Sequence, residues 1–172
     1  LLEADIRDMD TSQWPSAGLI VGTGKDRYVR FSVIRDTDAS PNRYALRVGN
    51  ADGKEIVKWF FDIETLADNK PFGARDSGTM KLSLAYEDGY YYVFINGVLS
   101  MAFDENELLS GEISIRDSLG NGAWKMGLFA ERKAVFTGWK FSRNPGSYLE
   151  DFPKMEWIHR PLLYDRETGY FR

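Results

Sequence analysis

The sequence predicts an all-β, antiparallel fold, and three observations carry that expectation. Apolar residues fall on every second position in one segment after another, the period of a strand with one buried face. Clusters of Gly, Asn and Asp separate these segments and suit tight turns. Aromatic residues make up 15% of the chain and favour pleated, half-buried surfaces over helices.

Taken in order, Leu2, Ala4 and Ile6 alternate with Glu3, Asp5 and Arg7 to give a first strand, which ends in the polar cluster Asp8 to Ser12. Ala17 to Gly22 and Tyr28 to Arg35 are two strands around the turn Thr23-Gly24-Lys25-Asp26, and Asp36 to Asn42 is a loop. Arg43 to Val48 and Glu55 to Phe61 flank a hairpin turn at Gly49-Asn50-Ala51-Asp52-Gly53. The alternation fails from Glu64 to Gly78, which reads as a long surface connection of the kind that often carries binding sites.

The clearest stretch is Met80 to Phe103. Met80, Leu82, Leu84 and Tyr86 alternate with Lys81, Ser83 and Ala85. Glu87-Asp88-Gly89 then breaks the run, Tyr90 to Ile95 resumes it, and Asn96-Gly97 leads into Val98 to Phe103. Asn-Gly takes the positive φ angles of a type I′ turn, so this is a three-strand meander. Asp104 as an N-cap, with Glu107 three residues on, predicts one or two helical turns before Gly111. Trp124 to Ala130 and Ala134 to Ser142 complete about ten strands by pattern reading. Beyond Asn144-Pro145-Gly146-Ser147, residues Tyr148 to Arg172 lack a period yet carry Trp157, Leu162, Leu163, Tyr164 and Phe171. That tail is expected to pack on the sandwich or at a domain interface, because exposing these side chains together would create a large apolar patch. The predicted organisation is a β domain over 1–143 and a tail over 144–172.

At 172 residues the chain can bury a sizeable core without disulfides or metals. Its 43% hydrophobic and 28% charged residues describe a globular protein, and no uncharged apolar run approaches the roughly 20 residues of a membrane helix. A net charge of −4 with signs interspersed leaves no basic stripe for a nucleic-acid partner. The lack of cysteine removes a thiol nucleophile and cysteine-ligated metal sites. The opening LLEADIRD reads as a strand with no signal region, as in an excised domain or mature fragment of a bacterial protein.

The YYYVFINGVLSM hairpin, paired with the later WKMGLFAERKAVFTGWKF unit, resembles the concanavalin A-like lectin/glucanase superfamily over about Leu1 to Arg143. The resemblance implies a jelly roll, two curved antiparallel sheets packed face to face, often with a sugar-binding groove. Gly127 would allow close approach, while Leu128, Phe129, Trp139 and Phe141 would supply buried or half-buried surface. In the laminarinase-like hydrolases of this superfamily one strand presents three acids at alternate positions, from which a retaining mechanism takes a carboxylate pair. The nearest match here, Glu3-Ala4-Asp5-Ile6-Arg7, supplies two acids and then an arginine, so no catalytic residue is assigned. Glu3 and Asp5 read instead as the polar face of the first strand.

His159, the only histidine, cannot build a triad or a histidine metal cluster. Asp8, Asp10, Asp36 and Asp38 are oxygen donors that a structural calcium ion could use, but they match no complete EF-hand pattern; no metal site or other cofactor is assigned. The candidate ligand-binding residues are Trp14, Trp59 and Trp124, since flat rings cover the C–H face of a sugar while neighbouring polar groups satisfy its hydroxyls. Core packing competes with that role, most strongly at Trp59 and Trp139. The expected function is a non-catalytic, lectin-like carbohydrate-binding module, extracellular or at a cell surface, with a glycan or polysaccharide as partner and other domains of a longer protein beside it. A glycoside hydrolase with acids on distant strands, or a domain accessory to one, is the alternative, and a structural or adhesion spacer is a further one.

Overall fold

The computed structural model describes residues 1–7, 16–36, 43–60 and 79–142, with the backbone alone at 35, 36, 43, 59, 60 and 98. The chain divides into two compact units, Leu1–Phe141 and Ser142–Arg172. The expected tail docking, the 64–78 connection and the 8–12 cluster lie outside the described residues.

The first unit is a sandwich of two five-stranded antiparallel sheets. One sheet holds β12 (Val135–Phe141), β1 (Leu2–Arg7), β6 (Thr79–Glu87), β7 (Tyr90–Ile95) and β8 (Val98–Asp104), in that spatial order. The other holds β11 (Lys125–Ala130), β2 (Ser16–Gly24), β3 (Arg27–Asp36), β4 (Arg43–Asn50) and β5 (Glu55–Phe60). The small ladder β9 (Leu108–Leu109) with β10 (Ile113–Ser114) and one short helix, α1 (Ile115–Leu119), close one end.

The alternation read from the sequence builds the core. Leu2, Ala4 and Ile6 register with Leu84, Leu82 and Met80, and all six are buried. Leu19, Phe31 and Val48 meet in register across β2, β3 and β4 of the other sheet. Aromatic rings join the layers: Phe31 lies 5.1 Å from Tyr91 and 6.4 Å from Phe103, centroid to centroid. Burying each of the fully enclosed large side chains contributes about 1.5–3 kcal/mol.

The turns follow their residue types. Asp88-Gly89 (φ 50° and 83°) and Asn96-Gly97 (φ 51° and 80°) both adopt the left-handed pair that a type I′ hairpin needs. At the β4–β5 turn the Asn50 side-chain carbonyl accepts from the amides of Asp52 and Lys54.

Three expectations need correction. The segment from Asp104 to Leu109 is a turn and a strand: Asp104 Oδ1 accepts from the Asn106 amide at 2.7 Å, and its backbone carbonyl accepts from Glu107 N at 2.9 Å. These bonds close the chain into a turn, and Leu109 is fully buried. The helix forms instead at Ile115–Leu119, capped by Ser114, whose hydroxyl accepts from the Asp117 amide at 2.9 Å. The expectation of a single buried face on β6 fails at its centre. Ser83 and Ala85 lie beside Phe94 and Tyr92 in register, and all four are buried. Trp139 is 44% exposed on β12, an edge strand among the described residues, where β1 is its one partner; it is not a core residue.

Candidate functional site

A cleft of about 470 Å³ lies at the end of the sandwich closed by α1. Its lining comes from the β2–β3 hairpin (Arg27), the facing ends of β6 and β7 (Tyr86, Tyr91), the turn after β8 (Glu105), the exposed side of α1 (Arg116, Asp117) and the loop from Gly120 to Trp124.

Local bonds hold each wall. Glu105 donates its amide to the Gly89 carbonyl at 2.8 Å and accepts from the Arg116 amide at 2.7 Å, tying the β8 turn to both the β6–β7 hairpin and α1. The Asn50 amide donates to Ser118 Oγ, which in turn donates to the Ser114 carbonyl, so α1 is anchored to β4 by buried polar groups. Thr23 donates to the Leu119 carbonyl and fixes the start of the following loop. There the chain turns at Gly120, with φ 67° and ψ −175°, a region essentially closed to residues with a Cβ. A Cβ at this position would also stand 2.6 Å from Arg27 Nη1, so glycine leaves room for the guanidinium along the cleft wall.

The aromatic side of the cleft is continuous with the core. The Trp124 ring, 38% exposed, stacks on Tyr91 (6.2 Å, 22°) and meets Tyr86 edge-on (5.0 Å, 66°), while Tyr86 and Tyr91 are 4.8 Å apart. Tyr91 rests in turn on Phe31. The result is a rigid ring platform with one exposed edge at Trp124 and Tyr86.

The polar side is partly committed. Glu105 accepts from Arg116 Nη1 at 3.0 Å through one carboxylate oxygen and from the Tyr86 hydroxyl at 2.7 Å through the other. The Tyr91 hydroxyl is buried and has no hydrogen-bond partner among the described residues, an arrangement that costs free energy. Burial, reinforced by the Glu105 hydrogen bond, pushes the Tyr86 phenol up to about 12. Tyr91 is raised further by burial and then by the neighbouring Tyr86 and Glu105, so both phenols stay neutral at physiological pH.

Of the residues singled out from the sequence, Trp124 reaches this cleft. Trp14 lies outside the described residues. Trp59 sits on β5 opposite Ala45, and its side chain is outside what is described. Glu3, Asp5 and Arg7 do share one face of β1, registering with Ser83, Lys81 and Thr79. Glu3 is 5% exposed and engaged: it accepts from Ser83 Oγ at 3.1 Å and pairs with Lys81 Nζ at 3.0 Å and Lys140 Nζ at 3.8 Å. Asp8, Asp10, Asp38, His159 and the side chain of Asp36 lie outside the described residues. Among the described residues no group of three His, Cys, Asp or Glu could hold a metal ion, and no helix is long and apolar enough to cross a membrane.

Arg27, Tyr86, Tyr91, Glu105 and Asp117 were not singled out by sequence reasoning. The one local signal was Ser114-x-x-Asp117, a capping pattern that would have placed α1 and with it one wall of the cleft. No protein-family model, no curated protein and no solved structure matches the chain.

Proposed function

We propose that the protein is a non-catalytic, lectin-like carbohydrate-binding module with a concanavalin A-like sandwich, and that the end cleft is its ligand site. The observation that carries this reading is the partly exposed Trp124 ring, stacked on Tyr91 in a cleft that Arg27, Asp117 and Asn121 also line. An exposed ring among polar side chains is what a sugar needs: its C–H groups pack on the ring and its hydroxyls meet the polar atoms. The Glu105 carboxylate is already committed to Arg116 and Tyr86, and Glu3 to Ser83 and Lys81, which favours binding over hydrolysis. An extracellular or cell-surface setting goes with a glycan partner. With one or two exposed rings, a dissociation constant of about 10 μM to 1 mM is expected.

A broad glycan array followed by calorimetry tests this. Trp124→Ala should abolish measurable binding and, because the ring is partly exposed, leave the protein folded. Binding to no glycan would overturn the proposal, and release of reducing sugar from a bound polysaccharide would replace it with a hydrolase.

A further inference from the structure

We infer that the ligand is an acidic glycan, a chain bearing uronic-acid carboxylates, with Arg27 as the group that reads the acid; this rests on the glycan reading above. The inference comes from counting which polar groups of the cleft remain uncommitted. Both Glu105 oxygens are taken, by Arg116 and Tyr86, and Thr23 is taken by the Leu119 carbonyl. Arg27, an exposed side chain of the β2–β3 hairpin, lines the cleft with no ion pair or side-chain hydrogen bond to any described residue.

The cleft thus leaves one guanidinium, Arg27, and one carboxylate, Asp117, without a side-chain partner among the described residues. A guanidinium offers a planar fork of N–H groups that matches a carboxylate in a bidentate pair, which a neutral sugar hydroxyl cannot reproduce. Gly120 keeps that fork against the wall, since any side chain there would displace it. Asp117 is the carboxylate of the cleft not engaged through its side chain, and with Asn121 it remains for the hydroxyls of the same sugar.

The test uses matched probes: tetrasaccharides of galacturonate, mannuronate and glucuronate, and the same three with each carboxyl reduced to a primary alcohol, titrated by calorimetry at low and moderate salt. At least one acidic probe should bind about 10- to 100-fold more tightly than its reduced counterpart, the range of a charge-assisted hydrogen-bond pair. That preference should shrink as salt rises. Arg27→Gln should cut it to within about twofold, and Arg27→Lys should restore only part of it because the charge returns without the fork. Should Arg27→Gln fail to fold, the acid-to-alcohol comparison on the unaltered protein still decides. Equal binding of an acidic probe and its reduced form, or binding of neutral glycans alone, overturns the acidic ligand and leaves the glycan site standing. If no probe and no array glycan binds, both readings fall.

Discussion

Replacing Tyr91 by Phe should make the protein more stable. The Tyr91 hydroxyl is shut off from solvent and has no partner among the described residues, and a buried unsatisfied hydroxyl costs about 1–3 kcal/mol. Removing one oxygen while keeping the ring on Phe31 and Trp124 opens a void of roughly 10 Å³, worth about 0.2 kcal/mol against the fold at the usual cavity coefficient. The desolvation term wins. A net gain of about 1–2 kcal/mol should appear as a higher urea midpoint at unchanged m, and as a rise of about 2–8 °C in Tm for a chain of this size. Calorimetry on the same variant should show affinity unchanged within about twofold, because a hydroxyl shut off from solvent is shut off from a ligand in the cleft as well. A variant destabilised by 1 kcal/mol or more would refute the reasoning, because the hydroxyl would then be satisfied in the folded protein.

Gly120→Ala should cost about 1–3 kcal/mol from backbone strain alone and should weaken ligand binding with it, as the new Cβ pushes Arg27 off the wall; chemical denaturation and calorimetry on one sample check both. Phe31→Ala should cost about 3–5 kcal/mol, as a fully buried ring touching Tyr91 and Phe103, whereas the exposed Trp139→Ala should cost under about 1 kcal/mol; urea midpoints separate the two. Alkaline pH should destabilise the fold. The Tyr86 phenol is pushed up to about 12 from an unfolded value of 10.0, so the native state keeps a proton the unfolded chain loses. The stability is complete below pH about 10 and is lost as pH climbs toward about 12, which tyrosinate absorbance and circular dichroism recorded together would follow.

The sandwich was legible because its strands announce themselves by local rules. Met80, Leu82 and Leu84 alternate, Asn96-Gly97 can take left-handed φ at low cost, and both signals depend on neighbours in sequence. The helix was misplaced for a related reason: Asp104 and Ser114 are both good caps, and the burial of Leu109, a tertiary fact, decides that the first closes a turn. Trp139 looked like a core residue because its strand is apolar, but exposure depends on β12 being an edge strand, and spatial order is not written in the strand itself. Trp124 could be found from its place beside a glycine-rich loop. Arg27, Tyr91, Glu105 and Asp117 could not be grouped, since they lie far apart in sequence on a hairpin, a strand, a turn and a helix that only the packed sheets bring to one end.

The most direct test of the central claim is an amide chemical-shift map of the folded protein titrated with its best array glycan. A sugar held in the end cleft should move Arg27, Tyr86, Tyr91 and Gly120 to Trp124, including the Trp124 indole N–H, and leave the Glu3, Lys81 and Lys140 face of β1 still. Shifts centred on Glu3 and Asp5, with the cleft residues unmoved, would contradict the account and return attention to the acidic strand.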